Sequence, residues 1–291
     1  MRFFAPAKIN LALEILGKRP DGYHNLDTIM QTVGLYDIID IEKNSDNTIN
    51  IGCNKDLNCS LKENIIYKSI VSFFNFTKIK NKGLNINVQK NIPICAGLGG
   101  GSTDGAAVLI GLDKIFKTNL KSKELLNIAS KIGCDVPFCL FGGTFRATET
   151  GIKLEKLKNI PSCYFILVKP NLKIITKNAY EKFEFYNKNY NFDIKKILLG
   201  IEKKDSLEIS KNLFNRFEDL LENKDKNIIS SIKELILKYG ALNSSMTGSG
   251  PSVFGMFKNL NLAKNCLGNI KKIYGESFLC ESLCFSYLIK K

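Results

Sequence analysis

The sequence predicts a mixed α/β chain of the α+β kind, folded as two domains. Three observations carry that expectation. The first 52 residues are dominated by strand-like patterns. A strand pattern at 83–92, a run of glycines and a helical pattern at 104–116 follow in direct succession. A polar stretch containing Pro161, residues 151–162, then divides the chain, which places one domain at 1–155 and a second at 156–291.

In chain order, residues 7–16 read as a strand, and Lys8 and Asn10, two apart, share one of its faces. Gly17 to Gly22 form a turn cluster, followed by strand patterns at 27–42 and 48–52. Apolar residues three and four apart make 62–76 a helix. After the strand at 83–92 and the helix at 104–116 comes another helix at 122–132, with Ser122 as its N-cap. Residues 136–150, around Gly142-Gly143, hold strand-like pieces, and 163–169 is an apolar strand. From 178 to 240 the pattern is mostly helical, and strands return at 253–257 and 277–287.

Composition removes several function classes. Hydrophobic residues make up 44% of the 291, enough for a sizeable core. No apolar run approaches the roughly 18 residues that span a bilayer. The opening MRFFAPAKINLALEI lacks the layout of a signal peptide. A cytoplasmic protein with no membrane partner is expected. The nine cysteines are scattered without CxxC pairs, and His24 is the sole histidine, so no metal site is expected from the chain. A nucleophilic triad would need His24, and no GxSxG elbow accompanies it. The net charge of +14 is almost all lysine, with four arginines among 42 basic residues. Nucleic-acid surfaces lean on arginine forks, so biased composition is the better reading and no nucleic-acid partner is expected. The sequence carries no sign of the oligomeric state.

The most informative stretch is Pro93-Ile94-Cys95-Ala96-Gly97-Leu98-Gly99-Gly100-Gly101-Ser102-Thr103. A strand ends, glycines crowd together and a helix begins. Glycines let backbone N–H groups turn inward, and the helix adds unsatisfied N–H groups and the positive end of its dipole. This makes a phosphate site. It is not a Walker A loop, since no GxxxxGK[ST] occurs, and Ser102 stands where a dinucleotide fingerprint needs its third glycine.

That loop, with the N-terminal Ala5-Pro6-Ala7-Lys8-Ile9-Asn10-Leu11 and the segments Arg19-Pro20-Asp21-Gly22-Tyr23-His24, Gly133-Cys134-Asp135-Val136-Pro137 and Thr247-Gly248-Ser249-Gly250-Pro251, resembles the GHMP kinase superfamily. The matching segments run from the first residues to about residue 257. The resemblance implies a two-domain fold with an N-terminal ATP-binding domain and a C-terminal domain that encloses the substrate. It implies ATP as donor, with Mg²⁺ accompanying it, bound by Pro93 to Thr103. The turn RPDGYH narrows the acceptor to a small molecule carrying a cytidine diphosphate group, a methylerythritol phosphorylated on its 2-hydroxyl. Spacing alone does not separate a turn-forming Asp135 from a catalytic one. The resemblance makes Asp135 the base and Lys8 its charge-stabilising partner. It further implies that Tyr23 stacks on cytosine and His24 meets its polar edge, while Asn10, on the face of Lys8, is expected to hydrogen-bond the substrate or Asp135. Thr176 and Tyr180, as second aromatic wall, and Gly248, Ser249 and Gly250, facing the diphosphate, complete the set.

Overall fold

The computed structural model describes residues 1–291 except 58, 81–82, 187–191, 286–287 and 291, with backbone alone for 288–290. Two long antiparallel strands, β1 (Arg2–Lys18) and β2 (His24–Lys43), form its spine. β1 is buried almost continuously from Ala5 to Ile15, because both faces of the sheet are covered there. The register places Lys8 opposite Thr32 and Asn10 opposite Met30, with a bulge between Asn10 and Ala12. Bulges re-aim side chains, and this one lies beside the residues that matter below.

Three strands extend β2: β4 (Leu84–Gln89), β3 (Ile49–Cys53) parallel to β4, and β5 (Thr144–Glu149) antiparallel to β2. β6 (Lys153–Lys156) then pairs with β5. Helices α1 (Ile65–Thr77), α2 (Gly100–Phe116), α3 (Ser122–Ala129) and α4 (Val136–Phe141) follow the chain through this half. α2 packs on β1 and β2 and touches α1 and α4, and Phe3, Ile39, Ile70, Phe73, Leu109 and Phe138 sit in the resulting core. A second sheet has the order β11-β7-β10-β9, from β7 (Tyr164–Val168), β9 (Asn243–Met246), β10 (Val253–Phe257) and β11 (Ser277–Glu281). Helices α8 (Asn223–Lys238) and α9 (Leu260–Ile270) cover it. Between the halves run α5 (Thr176–Glu184), α6 (Ile194–Glu202), α7 (Ser206–Lys211) and the 3-10 turn Arg216–Leu220. Two pieces of the later chain return to β1: β8 (Phe214–Asn215), parallel, and β12 (Leu288–Lys290), antiparallel.

Several elements depart from the sequence reading. α1 starts at Ile65, not 62, because the Asn64 side chain accepts from the Ile66 N–H and caps it. α3 is capped by Lys121, whose N–H bonds the Glu124 carboxylate at 2.8 Å, and Ser122 is already helical. The segment Val136–Phe141, expected as strand, is a helix, with Pro137 in its first turn where no N–H is needed. β6, β9 and α9 fall in stretches read as polar or unassigned. The expected strand 277–287 is β11 over Ser277–Glu281, and its residues 286–287 lie outside the described residues, as do 187–191 of the mostly helical 178–240. Among the described residues no helix is long and apolar enough to cross a membrane.

Candidate active site

Lys8 stands in the middle of β1 and is 4% exposed. Its ammonium lies 3.2 Å from an Asp135 carboxylate oxygen and donates to Asn10 Oδ1 at 2.8 Å. Asp135 is held at the N-cap of α4, between the turn after α3 and the Pro137 helix start. An ammonium buried without such partners is costly. Asn10 ties three segments together. Its Nδ2 donates to Thr28 Oγ1 at 2.8 Å, and its Oδ1 also accepts from the Gly248 N–H at 3.1 Å.

The phosphate loop lies directly on this pair, since the Lys8 N–H donates to the Leu98 carbonyl at 3.0 Å. Gly97 and Gly99 have φ of 74° and 69°, in the left-handed region where glycine costs least. The space is equally tight. A Cβ on Gly97 would come within 2.1 Å of the Thr247 carbonyl oxygen, and one on Gly99 within 2.8 Å of Lys8 Cγ. Gly99 is the N-cap of α2 and has no side chain to accept from the first-turn N–H groups. Those donors therefore remain available to an anion.

Two cavities meet at this loop. One, of about 1040 Å³, runs from Lys8 and Asp135 past Gly248–Gly250 to His24 and Tyr180. The other, of about 500 Å³, lies between the loop and the start of α1. Cys95, Gly97, Gly99, Ser102 and Thr176 border both. Pro93, Ile94, Ala96, Leu98, Gly100 and Gly101 line the smaller cavity, whereas Thr103 is buried and lines neither.

At the far end of the larger cavity the His24 ring is 8% exposed and stacks on Tyr180, centroids 4.9 Å apart. Tyr180 in turn meets the edge of Phe217 at 4.9 Å. Burial lowers the His24 pKa, and its Nε2 is buried with no hydrogen-bond partner among the described residues. Tyr23, at 61% exposure, stands on the rim. Thr176 Oγ1 and Ser249 Oγ are 2.8 Å apart and join α5 to the glycine turn.

The structure thus brings the sequence-predicted residues to one connected space, Thr103 excepted. It adds others that the sequence reading missed. Leu57, Asn64, Ile65 and Ile66 wall the smaller cavity. Nothing in their pattern distinguishes them from an ordinary loop and helix start. Lys173 lines the larger cavity. There Lys8 pairs with Asp135, Lys18 with Glu184 and Lys177 with Glu181, while Lys173 has no ion-pair partner among the described residues.

Known proteins fit this arrangement. The family description "GHMP kinases N terminal domain" matches residues 64–143, and "GHMP kinases C terminal" matches 197–276. A protein of Clostridium botulinum (strain Alaska E43 / Type E3) named 4-diphosphocytidyl-2-C-methyl-D-erythritol kinase is 41% identical over 279 residues, 96% of this chain and 99% of that one. One of the same name from Clostridium tetani (strain Massachusetts / E88) is 40% identical over 290 residues, 97% of this chain and all of its own. The crystal structure of a 4-(cytidine 5'-diphospho)-2C-methyl-D-erythritol kinase matches with a TM-score of 0.79 at 24% identity, over 97% of this chain and 99% of that one, and speaks for the fold. Likeness of this extent, from the first strand through both matched halves, means that the chain belongs to the GHMP kinases.

Proposed function

We propose that this chain transfers the γ-phosphoryl group of ATP to the 2-hydroxyl of 4-diphosphocytidyl-2-C-methyl-D-erythritol, a step in non-mevalonate isoprenoid precursor synthesis. The relatives' shared name supports the substrate. The observation that carries the chemistry is the Lys8–Asp135 pair lining one of two cavities that meet at a phosphate loop. Donor and acceptor can then approach from opposite sides of Gly97, Gly99 and Ser102. Such transfer asks the protein mainly for positioning and charge stabilisation.

In this reading the smaller cavity takes ATP, with its phosphates on the loop Pro93–Thr103. The uncapped first turn of α2 fits that role. Mg²⁺ comes with the nucleotide and neutralises phosphate charge. The Ser102 hydroxyl and the Asp135 carboxylate are hard oxygen donors of the kind it takes. Asp135 accepts the proton of the acceptor hydroxyl, and Lys8 holds Asp135 in place and offsets charge on the transferring group. Asn10 borders the acceptor and fixes Lys8. Tyr23 covers one face of cytosine, and His24, braced by Tyr180, meets its polar edge. Thr176, Gly248, Ser249 and Gly250 flank the diphosphate, and Lys173 supplies the remaining cation. We place the division of labour at residue 155, with the ATP-binding part before it and the substrate-enclosing part after it. A cytoplasmic location accords with this chemistry.

The test is a coupled assay that offers ATP with one acceptor at a time. Turnover is expected with 4-diphosphocytidyl-2-C-methyl-D-erythritol and not with homoserine, mevalonate or a simple sugar. Turnover with one of those three, and none with the cytidine substrate, would overturn the assignment.

A further inference from the structure

Lys90 and Asp104, which border the smaller cavity, belong to a buried ionic cluster under the phosphate loop to which the reading above gives no role. Lys90, Asp37 and Asp104 are each at most 4% exposed. Asp37 Oδ1 accepts from the N–H groups of Asn91 at 2.7 Å and Ile92 at 2.8 Å, the two residues before the loop. Its Oδ2 takes a hydrogen bond from the Lys90 ammonium. The same ammonium donates to Asp104 Oδ2 at 2.7 Å, one turn into α2 and just past the loop. It lies directly under the first residue of the helix, where a Cβ on Gly100 would come within 3.1 Å of Nζ.

We propose that Lys90, held between Asp37 and Asp104, is the positioning residue of the phosphate loop, fastening both of its ends so that the first-turn N–H groups of α2 converge on the nucleotide. This rests on the loop being the ATP site. Burying three charged groups is expensive, and apolar residues of the same size often serve stability as well or better. What an ionic cluster adds is direction, through hydrogen bonds of fixed geometry to both ends of a loop rich in glycine. Without it those glycines are free to sample other backbone conformations.

Binding of ATP, measured by calorimetry on the full chain, tests this. Asp104→Ala cuts one arm and leaves the Lys90–Asp37 bond, and ATP affinity should fall about tenfold or more. Asp104→Asn keeps an acceptor for Lys90 and should recover most of that loss. A folded Asp104→Ala that binds ATP as tightly as wild type would overturn the proposal. Should that variant not fold, a folded Asp104→Asn that binds ATP more than about tenfold weaker than wild type, although it keeps an acceptor for Lys90, would overturn it instead. A wild-type chain that binds no ATP would bring down the nucleotide-loop reading itself, which separates the two failures.

Discussion

Asp135 and Lys8 define the chemistry at the scale of single residues. Lys8 has little freedom: Asn10 and Asp135 hold its ammonium, and Leu98 holds its backbone. Replacing the base removes proton acceptance while leaving the cavity's shape intact. Asp135→Asn should therefore lower kcat by about 10²–10⁴-fold, with calorimetric binding of both substrates retained. Turnover within a few-fold of wild type would take Asp135 out of the mechanism. Tyr23, exposed on the rim, touches one substrate and not the other in this reading. Tyr23→Ala should raise the acceptor KM about tenfold, since stacking on a base is worth about 1–3 kcal/mol. The KM for ATP should hold, and a change confined to ATP would mean that the two sites are exchanged. These residues were named through the resemblance, because each sits in a short string shared with the family, whereas spacing alone did not set Asp135 apart from a turn-forming Asp. The hydrogen bonds of Asn10 were not legible, because they reach Thr28 and Gly248, 18 and 238 residues away. Nor was Lys173, one exposed lysine among many.

The strand–loop–helix unit was the easiest element to read, yet its helix begins at Gly100 and not at 104. Glycine argues for a turn in any pattern, so only the packing reveals that Gly100 and Gly101 already belong to the first turn. The misreading of Val136–Phe141 has a similar cause: a six-residue apolar run fits a buried strand or a buried helix equally well, and Pro137 was the overlooked signal. The ionic cluster under the loop could not be read at all, since Asp37 is 53 residues from Lys90. Within the loop, two neighbouring glycines should respond differently to substitution. Gly97→Ala sets a methyl group against the Thr247 backbone carbonyl and forces the loop away from the glycine turn, at a cost of about 1–3 kcal/mol in stability. Gly99→Val meets the flexible side chain of Lys8 instead. It should leave a folded protein that has lost ATP affinity and, with Lys8 displaced, turnover as well. Thermal melts paired with ATP titration separate the two. Normal ATP affinity in folded Gly99→Val would move the phosphates off this loop.

Across the whole molecule, the two sheets share one core, in which Ile9 and Leu11 of β1 meet Phe165 of β7 and Phe254 of β10. Part of that organisation was legible, as strand patterns before residue 53 and again near 163 and 253 placed sheets early and late in the chain. The return of β8 and β12 to β1 was not legible, because strands of two and three residues carry no period. One buried pair spans the two halves next to that return. Arg216 in the 3-10 turn, with no exposed surface, grips Glu14 of β1 through two hydrogen bonds of 2.8 and 2.7 Å. It also reaches Asp219 at 2.7 Å. Its sequence neighbour Phe217 touches Tyr180, which braces His24, so the pair stands behind the acceptor end of the large cavity. Arg216→Met leaves the Glu14 carboxylate buried without its cation, and such a loss typically costs about 3–5 kcal/mol. Glu14→Leu combined with Arg216→Met removes both charges and should recover much of the stability. Urea unfolding of the two single variants and the double gives the coupling energy. In folded Arg216→Met the acceptor KM should also rise more than the ATP KM, because Phe217 and Tyr180 lose their support while the phosphate loop does not. A loss below about 1 kcal/mol, or a double variant no better than the single, would show that the halves are held by their apolar contacts alone.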